Sequence, residues 1–340
     1  MGNEISKNTM DDFNEVISII EQAQESVYRA ANREFISMYW NIGRFVSEKV
    51  RVGGWGKSIV KEFSEFIQLR YVGIQGFSAS NIWRMRQFYE TYKDSERLAE
   101  LVKEINWTNN LKIMARAKTD EAREFYLQLT AKNRYSTKEL ERQIDSMLFE
   151  RTMISDEKNK LFISRTPGLS SLRDNYVLEF LDIPHNHKEH ELRKAILVNL
   201  KDFILEFGKD FTFVGEEYRV QVGNTDFWID LLFFNRELAC LVAIELKVGS
   251  FKPEHLGQLE FYLEALDSDV KKENENPSVG LILCADKDDA VVEYALRRSI
   301  SPALVADYQL HLPDKKLLEN KLRELAEIAE TNGNEEVEDE

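Results

Sequence analysis

The stretch DFWIDLLFFNRELACLVAIELKV, residues 226–248, decides the fold. It contains two apolar runs that are typical of buried strands, separated by a polar Arg-Glu pair. Ionisable residues interrupt both runs: Asp230 lies in the first, and Glu245 and Lys247 lie in the second. Because burying an unpaired charge is costly, these three side chains need each other, a metal ion or water.

Side chains alternate along a strand, so Glu245 and Lys247 share one face of theirs. If the Arg-Glu pair forms the hairpin turn, Asp230 pairs with Ala243 on that same face. The two carboxylates then become diagonal neighbours, with backbones about 7–8 Å apart. Side chains of this length can converge on one ion.

Oxygen ligands of this kind suit a hard cation such as Mg²⁺, and the main-chain carbonyl of Leu246 lies near the same edge. A metal-bound water can attack phosphorus, while Lys247 orients that water or neutralises charge on the phosphate. The pattern therefore favours phosphodiester hydrolysis. The alternative is an ordinary ion pair between Glu245 and Lys247 at a sheet end, which leaves Asp230 unexplained.

The C-terminal half as a whole predicts an α/β sandwich with a mixed sheet. We expect helices at 189–207, 253–266 and 288–298, and strands at 212–222, 226–234 and 238–248, in SVGLILCA and in ALVADYQL. This α/β domain is predicted to cover 188–312, followed by a helix at 313–331. The acidic residues 332–340 predict a disordered tail.

Residues 11–153 show helical spacing without strand alternation, so we predict an all-α domain at 1–153 and a linker at 154–187. In GFSASNIWRMRQFYETY, Ser78 can cap a helix that carries Asn81, Arg84 and Gln87 opposite its apolar stripe. Such a helix could lie in the major groove of DNA. The alternative is a bundle helix with a solvated or partner-binding face.

The stretch GGWGKS, residues 53–58, ends like a phosphate-binding loop, but Arg51 stands where that loop needs its first glycine and no strand precedes it. We therefore predict a helix stop and no ATP site.

Composition limits the functional classes. The 340 residues carry a formal net charge of −15, which argues against a nonspecific coat on nucleic acid. Residues 1–160 hold 25 Lys and Arg against 24 Asp and Glu, whereas the remainder holds 20 against 36. The two cysteines lie in strand-like runs and favour buried free thiols in a reducing cytoplasm. Neither a secretory signal nor a membrane-spanning run is seen.

The arrangement of an Asp and a Glu-x-Lys on consecutive strands resembles the PD-(D/E)XK, restriction-endonuclease-like nucleases. FWIDLLFF…LVAIELKVGSFKPEHLGQLEFYLEALD, with NPSVGLILC and VVEYAL downstream, is similar to the YhcG-type branch of that family. YWNIG, GGWG, GFSASNIWRMRQFY and REFYLQL look like the helical, winged-helix-like N-terminal domain of that branch. The resemblance covers roughly residues 15–312.

The resemblance implies that Asp230 and Glu245 hold Mg²⁺ or Mn²⁺ and that Lys247 assists catalysis. It also implies that Gln258 and Tyr262, which match a Q-x-x-x-Y motif, position the site or the nucleic acid; the alternative for this pair is an exposed Gln and a packed Tyr.

An upstream helix acid often completes such a site. We choose Glu191 as this third metal ligand, with Glu189 or the adjacent Glu216 and Glu217 as alternatives. Asp226 is either a second ligand or a charge at the strand edge.

These observations predict a metal-dependent nuclease that acts on double-stranded or branched DNA. A homodimer would supply two sites for cutting two strands. The alternative is a non-catalytic protein- or DNA-binding module on a nuclease-like scaffold.

Overall fold

A computed structural model describes residues 7–154, 172–208, 210–297, 299, 301–320 and 322–323. The chain divides into two compact units, Met1–Ile144 and Asp145–Glu340. The predicted tail at 332–340 lies outside the described residues. The predicted helix at 313–331 is described at 313–320 and 322–323, of which 315–320 and 322–323 are helical. None of the described helices has the length and apolar character needed to cross a membrane.

The N-terminal unit is helical, and residues 7–144 contain no β-strand. The unit therefore has no β-hairpin wing within those residues, although the sequence resembles a winged-helix-like domain. Its helices are α1 (Lys7–Arg51), α2 (Lys57–Arg70), α3 (Ala79–Tyr92), α4 (Glu96–Leu101), α5 (Trp107–Arg116), α6 (Asp120–Asn133) and α7 (Thr137–Asp145).

The GGWGKS stretch separates α1 from α2, as predicted. Gly53 adopts φ +78°, a left-handed conformation in which a glycine costs little, just after the last residue of α1. Trp55 then packs between Phe45 and Phe63, with ring centroids 5.6 and 5.3 Å away. Glycine and tryptophan thus terminate one helix and anchor the next.

Helices α1 and α3 cross closely at Gly43. A methyl group added there would overlap the backbone carbonyl of Met85 and lie 3.1 Å from Cβ of Tyr89. Around the crossing, Ile82, Met85 and Phe88 of α3 are fully buried. The crossing therefore requires a residue without a side chain at position 43.

The C-terminal unit is built on one six-stranded mixed sheet with the order β1-β6-β5-β4-β3-β2. Strands β2, β3 and β4 are antiparallel, and β4, β5, β6 and β1 pair in parallel. The elements are β1 (Asn175–Val177), α8 (Glu189–Val198), α9 (Leu200–Phe207), β2 (Phe211–Val222), β3 (Thr225–Asn235), β4 (Cys240–Ser250), α10 (Pro253–Asp269), β5 (Asn276–Asp286), α11 (Asp289–Leu296) and β6 (Ala303–Gln309).

The interval predicted as a linker contributes to this unit. Strand β1 lies within 154–187 and pairs with the end of β6, where Asn175 is opposite Asp307. Upstream of it, Arg151 donates from Nη1 to Oε1 of the fully buried Glu206 at 3.1 Å. The unit therefore begins earlier than the predicted boundary at 153, because β1 and this buried ion pair attach the segment to the sheet.

Helices cover both faces of the sheet. Helices α8 and α9, predicted as one helix, are separated at Asn199, and they pack Leu192 and Phe203 against one face. Helix α10 packs Leu259 and Leu263 against the other. The observed α/β architecture of this unit thus agrees with the predicted fold class, and it leaves the end of β4 between the two helical layers.

The Gly43 crossing gives a stability prediction. We expect Gly43→Ala to lower the free energy of unfolding by at least about 1–3 kcal/mol, because the added methyl overlaps main-chain atoms that cannot rotate away. Chemical denaturation of the full chain measures the change.

Gly257→Ala is the matched control, because it lies inside α10 and an added methyl there meets nothing within 4 Å. Its expected effect is stabilisation by about 0.4–1 kcal/mol. Equal effects of the two substitutions would contradict the proposed close crossing.

Candidate active site

The β3–β4 hairpin brings the predicted acids to one place, in a register two residues away from the prediction. Asn235 pairs with Cys240 and Leu231 with Ile244, so the turn spans four residues, 236–239. Continued by one step, this register sets Asp230 opposite Glu245, where we predicted Ala243. A shift of two residues leaves each side chain on the same face of the sheet. Asp230 and Glu245 therefore still lie on one face, although the predicted register is wrong.

Asp230 is held by one main-chain and one side-chain donor. Its Oδ2 accepts the amide N–H of Leu246 at 2.9 Å, and its Oδ1 accepts Nη1 of Arg193 at 2.9 Å. The other end of the Arg193 guanidinium donates to Oε1 of Glu217 at 2.8 Å. Leu246 thus contacts Asp230 through its N–H, and a metal-ligand role for its carbonyl stays a prediction.

Glu245 and Lys247 lie side by side on β4. Lys247 Nζ donates to Oε1 of Glu245 at 2.9 Å and lies 3.8 Å from Oε2 of Glu189. Glu245 is only 3% exposed, and its Oε2 is buried without a hydrogen-bond partner among the described residues. One oxygen of this carboxylate is therefore neutralised by lysine, and the other is left unsatisfied.

Burial and the neighbouring charges set the protonation behaviour of the pair. Desolvation, reinforced by the charge of Asp230, raises the pKa of Glu245 to about 7 despite the hydrogen bond from Lys247. Desolvation opposes the charged form of Lys247, but its hydrogen bond to Glu245 and the nearby acids outweigh that effect and raise its pKa. The lysine is accordingly a fixed cation, and the glutamate can exchange its proton near neutral pH.

Gln258 and Tyr262 lie on one face of α10, as their spacing predicts. Gln258 Nε2 donates to the hydroxyl of the buried Tyr262 at 2.7 Å. Burial, together with the charges of Glu245 and Asp230, raises the pKa of Tyr262, and the bond from Gln258 opposes the rise. Sequence reasoning missed His255 on the same helix, whose pKa is lowered by burial and by the charge of Lys247.

The acids considered for the third ligand have different partners. Glu191, our choice, accepts the backbone N–H of Lys188 at 2.7 Å and caps the start of α8. Glu189, one turn away from Arg193, is the acid of this helix that approaches Lys247. Asp226 forms an ion pair with Arg219 at 2.8 Å near the β2–β3 turn.

One observation in particular indicates that Asp230 and Glu245 could hold a divalent cation. A buried carboxylate oxygen normally has a donor, and the unsatisfied Oε2 of Glu245 is an acceptor that a cation could satisfy. Among the described residues, no three His, Cys, Asp or Glu side chains come together as a metal-binding group. Asp230 and Glu245 would therefore be the protein ligands, with further oxygens supplied from outside.

In the N-terminal unit, the three residues predicted to read DNA differ in their surroundings. The amide of Asn81 donates to Gly76 O at 2.6 Å and accepts the indole N–H of Trp107 at 3.0 Å. Arg84 and Gln87 are exposed on α3. Asn81 therefore has a structural role that the sequence did not indicate, whereas Arg84 and Gln87 are accessible to a ligand.

Comparison with known proteins agrees with this arrangement over both units. Residues 169–323 match the YhcG PDDEXK nuclease domain, and residues 15–151 match the DUF1016 N-terminal domain. The protein named "Putative nuclease YhcG" of Escherichia coli (strain K12) is 31% identical over 346 aligned residues, which cover 90% of this chain and 92% of that one. The chain belongs to the YhcG family of PD-(D/E)XK nucleases. The resemblance of its sequence to that family is thus confirmed.

Two solved structures match part of the chain. A repair endonuclease from Pyrococcus abyssi is 17% identical, with 38% of this chain and 50% of that chain covered and a TM-score of 0.27. EndoMS in its apo form is 18% identical, with 38% and 48% covered and a TM-score of 0.25. The chain therefore spans about half the length of each of these two structures.

The raised pKa of Glu245 predicts a pH-dependent stability. Because its pKa rises from the ordinary value of 4.5 to about 7 on folding, its contribution is fully present below 4.5 and is lost as pH rises through 7. As the pH is raised from 5 to 8 in EDTA, the free energy of unfolding of wild type should fall, whereas that of Glu245→Gln lacks this loss. The difference in favour of Glu245→Gln should therefore grow by up to about 3 kcal/mol. Urea denaturation at the two pH values measures the gain.

Glu254→Gln, at an exposed position of α10, is the control and should show no such pH-dependent gain. Equal gains for both variants would mean that Glu245 does not hold its proton in the folded state.

Proposed function

We propose that this member of the family is a divalent-metal-dependent phosphodiesterase whose substrate is DNA, either double-stranded or branched. The observation that supports it is the partly buried cluster of Asp230, Glu245 and Lys247, with one oxygen of the buried Glu245 carboxylate unsatisfied, in a chain of a nuclease family. A scaffold without catalytic activity would have no use for such a carboxylate, because replacing it with an apolar residue removes a desolvation cost.

Each residue of the cluster has a distinct role in this proposal. Asp230 and Glu245 would hold Mg²⁺ or Mn²⁺, which when bound lowers the pKa of a water molecule and neutralises negative charge on the phosphate. Lys247, fixed by Glu245, would place its ammonium group beside the phosphate and stabilise the charge that develops there. The raised pKa of Glu245 means that cation binding would release a proton below about pH 7.

The surrounding residues would position the cluster. The Leu246 N–H fixes the orientation of Asp230, and the bond from Gln258 would hold the hydroxyl of Tyr262 in place. Of the two acids at the start of α8, Glu189 lies nearer the cluster, because its carboxylate approaches Lys247 whereas that of Glu191 accepts the backbone N–H of Lys188.

Substitution of the cluster tests the activity. We expect Asp230→Asn, Glu245→Gln and Lys247→Met each to lower Mg²⁺-dependent cleavage by at least about 100-fold, because each removes a cation ligand or the positive charge beside the phosphate. Rates on linear, nicked and branched DNA, with Mg²⁺ and with EDTA, measure the loss.

Asp226→Asn is the control, since this acid pairs with Arg219 away from the cluster, and its rate should stay within about twofold of wild type. Cleavage that persists in the cluster variants, or that proceeds in EDTA, would refute the assignment. A large loss in Asp226→Asn would identify that acid as a ligand.

We propose that α3 of the N-terminal unit contacts DNA through Arg84 and Gln87. In the inactive Glu245→Gln background, Arg84→Ala should weaken duplex binding and lower the slope of log affinity against log salt by about 1, if Arg84 meets a phosphate. Fluorescence anisotropy over a salt series measures both quantities.

Lys93→Ala is the control, because it removes the same charge from the other end of α3, where Lys93 is also exposed. An unchanged affinity and slope in Arg84→Ala would remove α3 from the DNA-binding surface.

A further inference from the structure

Arg193 joins two acids from different strands at the site. Its guanidinium donates through Nη1 to Asp230 on β3 and through Nη2 to Glu217 on β2, at 2.9 and 2.8 Å. The side chains differ in exposure: Arg193 is 18% exposed and Asp230 16%, whereas Glu217 is 59% exposed. The arginine thus has one partner inside the site and one at its solvent border.

The backbone at Glu217 is strained. This residue lies within β2 but adopts φ +39°, a left-handed conformation that is unfavourable for a residue with a side chain. Its neighbours Glu216 and Tyr218 pair with Leu231 and Ile229, which sets Glu217 level with Asp230 across the β2–β3 ladder. Strain of this kind persists where the surrounding structure enforces it, and it often marks a functional contact.

We propose that Arg193 is a positioning residue that competes with the divalent cation for Asp230, and that Glu217 retains the arginine when the cation displaces it. This inference rests on the proposed metal site, because Asp230 would be one of its ligands. Arg193 would keep Asp230 neutralised in the absence of metal. On cation binding it would give up the Nη1 bond and keep the Nη2 bond to Glu217.

Charge repulsion favours a competition between Arg193 and the cation, and not a role in which Arg193 only holds Asp230 in place. A positive guanidinium in contact with Asp230 repels a second cation at the same carboxylate, and in a partly buried site this repulsion is large compared with thermal energy. Glu217 offsets that repulsion by drawing the guanidinium toward solvent. Removing the arginine and removing the glutamate should therefore change cation affinity in opposite directions.

The experiment measures cation affinity directly, independently of DNA cleavage. Full-length wild type and five variants are titrated with Mn²⁺ at pH 8: Arg193→Met, Arg193→Lys, Glu217→Gln, the double variant Arg193→Met/Glu217→Gln, and Glu245→Gln. Free Mn²⁺ is followed by electron paramagnetic resonance, with calorimetry as the second measurement. Circular dichroism confirms that each protein is folded.

We expect Arg193→Met to bind Mn²⁺ about 5–10-fold more tightly than wild type, because the competing charge is gone. Glu217→Gln should bind about threefold more weakly, and Arg193→Lys should remain within about twofold of wild type, because it keeps the charge. In the Arg193→Met background, Glu217→Gln should have no further effect, since Glu217 acts only through the arginine.

Other outcomes distinguish a failure of the proposed Arg193 competition from a failure of the proposed metal site. Equal or weaker binding by Arg193→Met would overturn the competition, while tight binding by wild type that is lost in Glu245→Gln would leave the metal site standing. Weaker binding on adding Glu217→Gln to Arg193→Met would make Glu217 a direct ligand and would also overturn the inference. Absence of Mn²⁺ binding in every protein, wild type included, would overturn the metal site itself.

Discussion

The site in the C-terminal unit depends on one constraint, the desolvation of the Glu245 carboxylate. Glu245 is almost without solvent contact in the middle layer of an α/β sandwich, where ionisation is opposed and its pKa is raised to about 7. A sheet can retain such a group only if its charge is balanced locally. Lys247 balances one oxygen, and no described residue balances the other. That asymmetry makes Glu245 the candidate cation ligand, and the remaining site residues are those that neutralise or orient its carboxylate.

Much of the site could be predicted from alternation along the strands, but its register could not. The sequence indicates the shared face of Glu245 and Lys247, because that depends only on a spacing of two. The hairpin turn is longer than predicted, because the side chain of Asn235 accepts the N–H of Leu238 at 2.9 Å and Ala239 adopts φ +48°. Asparagine is a known turn former, so this signal was present in the sequence and was overlooked.

Other elements could not be predicted because their causes are tertiary. Strand β1 has three residues, too few to show alternation, and it exists through its pairing with β6. Arg193 is 37 residues from Asp230, and nothing in the sequence links them. The spacing of Glu189 and Arg193 was visible, because residues four apart share a helix face, but which strand that face meets is decided by the packing of α8. Asn81 shows the same limit: its position on α3 suggests an exposed amide, yet Trp107 and Gly76 engage it.

Under the proposed function, the uneven charge of the chain is explained by the need for a cation at the carboxylate site. Residues 161–340 hold 20 Lys and Arg against 36 Asp and Glu, so this part of the chain repels a polyanion at long range. Within the cluster, Lys247 and Arg193 supply positive charge, but each is paired with a carboxylate. A phosphate could approach closely only when an added cation outweighs those acids. The cation would then serve substrate binding as well as chemistry. Residues 1–160, which are nearly neutral, would provide the DNA contacts that do not require the cation.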